Sequence, residues 1–459
     1  TSAGQRQRGF PNWSQTREPS GEFQTWPPAR EMPRDLVIVD CFAYFAESIG
    51  TVRSTRRRPS ARLRTFTEDT EKNMPERQTR RVFLQATTTL AASVWIGTPA
   101  QAATPTVNVE SIDTISFQPN LYGGWPTLTR RADDELLLVW SGGRESHVCP
   151  FGQVQSMRSS DGGRTWSFPR VLIDSAIDDR DAGILVTDKG TLLATTFTSL
   201  AYEPGLAKAE AASGWEPAKL KRWIAARDRL TAPQRQKQLG TWMIRSTDGG
   251  TEWSARYRVP VNSPHGPIQF SKGRLIYAGK ELWNDENRIG VCQSLDDGLT
   301  WEWLATIPTR DGDDHRDYHE LHAVQASDGQ LIVHIRNHNS KNAGETLQTE
   351  SEDDGMTWSE PHSIGVWGLP SHLLRLKDGR LLMSYGHRRK PLGNQARVSS
   401  DNGRTWSEAM MISSDGVTGD LGYPSTVELD DHSLVTVWYE VRPGNSNAVL
   451  RQARWKLDG

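Results

Sequence analysis

Ser159-Ser-Asp161-Gly-Gly163-Arg-Thr-Trp166 is a turn built almost wholly from residues that fix local geometry. The Asp side chain accepts backbone N–H bonds across the turn. The Gly supplies a positive φ, and the Trp plugs the edge of a small sheet. The same pattern, Ser-x-Asp-x-Gly-x-x-Trp, returns at Ser246–Trp253, Ser294–Trp301, Ser351–Trp358 and Ser399–Trp406. One copy says little, but a fixed repeat sets the architecture before any local reading is attempted.

A second repeat alternates with the first: an apolar strand, an Asp-Gly-like hairpin, and another apolar strand. Its six copies begin at Trp125, Asp181, His265, Glu320, His372 and Tyr423. Four short strands in each unit of roughly 50 residues is propeller geometry. The expectation is an all-β chain, a six-bladed β-propeller over 104–459. The sixth unit has no Asp turn, and the stretch Val107–Phe117 is expected to complete that blade and close the ring. The interval between the first two Asp turns is too long. Its extra sequence, about 201–239, has helical amphipathic spacing and reads as an insertion in blade two, either a lid or rim over the central pocket or a surface decoration.

The 459 residues are 36% hydrophobic and 24% charged, with a formal net charge of −2. That balance argues against a nucleic-acid partner. Three cysteines, Cys41, Cys149 and Cys292, do not make a disulfide scaffold. A Cys149–Cys292 bridge and two buried free thiols both remain open. Residues 74–103 read as a twin-arginine export signal: Arg80-Arg81, an apolar Ala86–Ile96 segment, and a small-residue end at Ala100-Gln-Ala102-Ala103. The apolar run is too short to span a bilayer, so no membrane span is expected in the mature chain. Residues 1–73 read as a disordered leader or an over-extended start, with Met74 a natural beginning. A periplasmic or extracellular location follows from that signal.

In a propeller the innermost strands converge on one pocket. A ring carrying Asp181, Glu320, Tyr423 and several histidines suits acid–base and nucleophilic work better than a solvated rim would. His265, His319 and His372 would make a metal site only if they met at ligand spacing, and no metal or other cofactor is expected.

These turns and unit starts resemble those of the sialidase (neuraminidase) family, a six-bladed propeller with Asp-box turns, over the whole mature chain. The Asp boxes imply fold and not activity. The resemblance implies an exo-acting glycoside hydrolase cleaving a terminal sialic acid or related acidic sugar. Such enzymes use a Tyr nucleophile, a Glu that takes its proton, an Asp acid/base and three Arg that clamp the substrate carboxylate. A neutral Tyr avoids the repulsion a carboxylate nucleophile would meet from that group.

Carried over by position, Tyr423 is the nucleophile and Glu320 its base. Arg336 is a clamp, Arg388 is a third clamp with Arg389 and Arg397 as rivals, and Arg144 matches an Arg after the first hairpin. Gly124-Trp125-Pro126 stands where the family has Arg-Ile-Pro, so the first clamp Arg is missing. Losing it should weaken carboxylate binding by about 1.5–3 kcal/mol per charge-assisted bond. Arg180 offers a replacement from another side. Asp181 is favoured as acid/base over Glu145 and His147, and His265 and His372 are candidate substrate contacts.

Each residue also has an ordinary reading: Tyr423 as a packed aromatic, Glu320 as a rim ion-pair partner, Arg336 and Arg388 as strand-end charges. The alternatives are a non-catalytic carbohydrate- or protein-binding propeller and a propeller glycosidase or polysaccharide lyase using His acid–base chemistry.

Overall fold

The alternating apolar strands fold into six four-stranded antiparallel sheets in a computed structural model. It describes residues 105–116, 118, 120–212 and 214–458. The expected leader and export signal lie outside the described residues.

Blades one to five take their four strands in chain order from the centre outward. The innermost strands are Tyr122–Arg130, Asp178–Val186, Ile268–Gln269, Tyr318–Gln325, Ser371–Arg375 and Leu421–Glu428. Blade six borrows its outer strand from the other end: Thr106–Ser116 pairs antiparallel with Ala448–Asp458. Pairing the two ends in one blade closes the ring, and the radial repeat leaves only short, protected edges.

Two glycine pairs show how tightly the inner strands approach. A Cβ on Gly183 would lie 2.6 Å from the Gly266 nitrogen of the next blade. Gly422, at φ 115°, comes so close to Gly386 that a Cβ would lie 3.1 Å from its Cα. Side chains at these positions would force the blades apart beside the residues that open them.

The five Asp turns join third to fourth strands in blades one to five. In the first, Asp161 Oδ1 accepts from Ser159 Oγ (2.8 Å) and from the Thr165 amide (2.9 Å). The Trp plugs a seam: Trp166 Nε1 donates to Gln452 of blade six at 3.0 Å, and Trp406 to Gln348 of blade four at 2.9 Å.

The extra sequence in blade two forms three helices, Tyr202–Ala212, Pro217–Arg227 and Ala232–Gln238, between its second and third strands. Glu216 caps the middle one, accepting from the amides of Ala218 and Lys219 at 2.8 Å each. Their apolar sides do not lie idle. Tyr202, Leu206 and Trp223 bury against Cys149 on the loop after blade one's second strand. Cys149 and Cys292 are both free and lie in different core clusters, so the bridge does not form. No helix among the described residues is long and apolar enough to cross a membrane.

Candidate active site

Four of the six unit starts share an unusual backbone. Trp125 (φ 54°), Asp181 (φ 49°), Glu320 (φ 47°) and Tyr423 (φ 53°) all lie in the left-handed region. In each case the ladder to the second strand slips across that residue. A bulge of this kind turns one side chain out of the alternating pattern, here at the strand entrance. Non-glycine residues in that conformation cost on the order of 1–3 kcal/mol and gather at functional sites. The third blade uses Gly266 (φ 78°) next to His265 and so avoids the cost.

Three side chains close a hydrogen-bonded triangle. The Tyr423 hydroxyl donates to Glu320 Oε1. Arg336 Nη1 donates to Glu320 Oε2 at 2.5 Å and to the Tyr423 oxygen at 3.1 Å. Arg336 comes from the end of blade four's second strand, Leu331–Asn337. Burial opposes charge on Glu320, yet Arg336 and the Tyr423 hydroxyl together hold it below the usual carboxylate range. Burial and the Glu320 charge push the Tyr423 phenol well above its ordinary value. The ground state is thus a neutral phenol hydrogen-bonded to an ionised carboxylate.

Asp181 faces the same group. It is 8% exposed, and burial raises its carboxyl to about 7. Arg180, Arg144 and Arg336 pull it down while the Glu320 charge pushes it up. Two carboxyls in one cleft therefore sit on opposite sides of their ordinary values, which is how one site holds both a base and an acid.

Trp125 stands at the position the resemblance gives to a first clamp arginine. It is 2% exposed, with the guanidinium of Arg144 4.9 Å and that of Arg180 4.7 Å from its ring centre. The Tyr423 ring meets it edge-on at 6.4 Å. Arg144 is committed elsewhere: wholly buried, it makes a two-pronged pair with Asp178 at 2.6 and 3.0 Å. It also holds the His147 carbonyl at 2.8 Å.

The other candidates fall outside the triangle. Glu145 points into the helical insertion and accepts from Arg222 Nε (2.8 Å) and Trp223 Nε1 (2.9 Å). His372 stacks on His322 at 4.7 Å, and His265 meets both rings edge-on at 5.0 and 5.2 Å, all three buried. Burial holds all three imidazoles neutral. No group of three or more His, Cys, Asp or Glu among the described residues is placed to hold a metal. Arg388 donates to the Leu421 carbonyl at 3.0 Å, two residues before Tyr423. Arg389 lies over Trp367, and Arg397 binds Tyr385 and the Ser407 carbonyl towards the Asp-turn end.

Sequence reading missed Asp420. It accepts from Tyr122 (3.0 Å) and Tyr439 (3.1 Å) and lies 3.1 Å from His147 Nδ1. Tyr439 in turn stands 5.7 Å from the Tyr423 ring. The available signal was an acidic residue three places before Tyr423.

A family model described as a BNR repeat-like domain matches residues 228–436. Among solved structures, a protein of unknown function from Dyadobacter fermentans is 21% identical with a TM-score of 0.63. The match covers 77% of this chain and 99% of that one. The Hadza microbial sialidase Hz136 is 18% identical at TM-score 0.53, over 72% of this chain and 65% of that one. The NanB sialidase of Streptococcus pneumoniae is 15% identical at TM-score 0.53, over 76% and 70%. No curated protein matches. The chain shares the six-bladed propeller fold of these sialidases, and its residues 228–436 match BNR-type repeats.

Proposed function

We propose that this protein is an exo-acting glycoside hydrolase that removes a terminal sialic acid or related acidic sugar. The observation that carries the reading is the Tyr423–Glu320–Arg336 triangle at the centre of the propeller. Tyr423 Oη attacks the anomeric carbon as its proton passes to Glu320. Asp181, protonated near neutrality, gives its proton to the leaving-group oxygen as that bond breaks. In the second half, water loses a proton to Asp181 and attacks the glycosyl–tyrosine bond. Tyr423 departs and recovers its proton from Glu320, and each group ends as it began. A covalent step on this fold has a parallel: a Trypanosoma rangeli sialidase structure, 16% identical, is described with 2,3-difluorosialic acid as a covalent intermediate.

For the substrate carboxylate the candidate contacts are Arg336, whose buried Nε has no hydrogen-bond partner, with Arg388 and Arg180 as further candidates. The export signal would place the enzyme outside the cytoplasm, where terminal sugars are met.

A second reading, a non-catalytic carbohydrate-binding propeller, is favoured by Trp125 in the clamp position and by Asp178 occupying Arg144. One assay separates the two. Wild type and Tyr423→Phe are incubated with aryl glycosides of sialic acid, a uronic acid and a Kdo-type sugar. Mass spectrometry after difluorosialic acid treatment then looks for a label on Tyr423. Release that disappears in Tyr423→Phe supports the hydrolase. Binding without release from any of the three supports the second reading.

A further inference from the structure

Trp283 is the only tryptophan among the described residues that is exposed, at 37%. It lies on the loop after blade three's second strand, Leu275–Lys280. Loops in that position lie at the end of the blades that also carries Arg144, Arg336 and Arg388, opposite the Asp turns. Its backbone is left-handed, φ 66°, a strain that an idle surface tryptophan gives no reason to keep.

The loop is held rigid. Arg288 grips Glu281 through Nε (2.6 Å) and Nη2 (2.7 Å). The Asn287 amide donates to Asn284 Oδ1 at 2.7 Å. His315 Nε2 lies 3.0 Å from the Glu286 carbonyl, tying the loop to the segment that leads into Glu320. The indole is therefore presented, not merely left out.

It is presented towards the acid/base side. The Trp283 ring meets Phe197 at 6.4 Å. Phe197 is the cross-strand partner of Arg180, which immediately precedes Asp181. The aromatic pair thus flanks blade two, the blade that supplies the proton to the leaving group.

We propose that Trp283, backed by Phe197, is a stacking platform for the first sugar ring of the leaving group, so that the natural substrate is an oligosaccharide carrying the acidic sugar at its end. This rests on the hydrolase reading only in naming which side of the bond the ring occupies. An indole face matches the C–H face of a pyranose, and the exposed Asp285 on the same loop suits its hydroxyls.

The test compares methyl glycosides of sialic acid and of a hexuronic acid with the matching lactosyl glycosides. Binding is followed by calorimetry with wild type, Trp283→Ala and Trp283→Tyr, and hydrolysis is followed in parallel. The expected result is roughly tenfold tighter binding of a lactosyl over a methyl glycoside in wild type. That advantage is lost in Trp283→Ala and largely kept in Trp283→Tyr, with methyl glycosides unaffected. Where hydrolysis occurs, the loss falls on KM for the lactosyl substrate. An advantage absent in wild type, or surviving in Trp283→Ala, overturns the platform. Binding that behaves as expected without hydrolysis of any glycoside upholds the platform and removes the hydrolase reading instead.

Discussion

The Tyr423 hydroxyl and the Glu320 carboxylate, 103 residues apart in sequence, are hydrogen-bonded to one another and share Arg336. Removing the hydroxyl removes the nucleophile but leaves Glu320 paired with Arg336. Tyr423→Phe should therefore stay folded by circular dichroism while losing at least about 10³-fold in hydrolysis. Glu320→Gln should lose about 10²–10⁴-fold, because the proton then has nowhere to go. Retention of most activity in either variant would rule out the pair as the reacting centre.

The Asp181 carboxyl, raised to about 7 chiefly by burial, makes two measurements fall together as pH rises. As the general acid it must be protonated, so hydrolysis should fall as pH rises through about 7. For stability, the native state binds this proton more tightly than the unfolded chain, whose Asp titrates near 3.9. Stability should then decline from about pH 4 to about pH 7, since charging Asp181 is harder in the fold. Asp179, raised to about 7 mainly by burial, slopes the same way. Asp181→Asn should thus be inactive, yet more stable than wild type at pH 8 and little changed at pH 4. Denaturation at both values decides it, and an equal effect at the two would exclude a raised carboxyl.

How much of this can be read before folding depends on the range of the forces involved. The Asp turns are legible because Ser159, Asp161, Gly163 and Trp166 carry their geometry within eight residues. Glu320 and Tyr423 are legible because each opens a repeat. Partnerships across the ring are not. Nothing local says that Arg144 is claimed by Asp178, or that Glu145 faces the helices and not the pocket. The bulged, left-handed entrances are hidden too, although Gly266 at the matching place in blade three hints at the conformation.

Arg144 separates a structural guanidinium from a substrate clamp. With both partners wholly buried, removing one leaves an uncompensated charge, at a cost of about 3–5 kcal/mol. Arg144→Leu should lower unfolding free energy by that order in urea titrations. Arg144→Leu combined with Asp178→Leu should recover much of it, since both charges are then gone. A stable Arg144→Leu protein with a raised KM would show instead that Arg144 serves the substrate.

Asp401 tests the opposite end of the blades. Its Oδ1 accepts from Ser399 Oγ (2.7 Å) and the Thr405 amide (2.9 Å), and its Oδ2 from Thr405 Oγ1 (2.6 Å). Burial works against this charge, but those bonds hold the carboxyl below its ordinary value. Asp401→Ala removes them and loosens the seat of Trp406, whose Nε1 reaches across to Gln348 at 2.9 Å. A loss of about 1–2 kcal/mol is expected, as for other capped backbone turns. A lowered carboxyl stabilises the fold above its unfolded value near 3.9 and loses that contribution on further acidification. The gap between wild type and Asp401→Ala should therefore be full at neutral pH and shrink below about pH 4. KM should not change at all, because the turn lies at the far end from Tyr423. A KM shift that grows with the loss of stability would mean that the blade seams, and not only the inner strands, hold the site in shape.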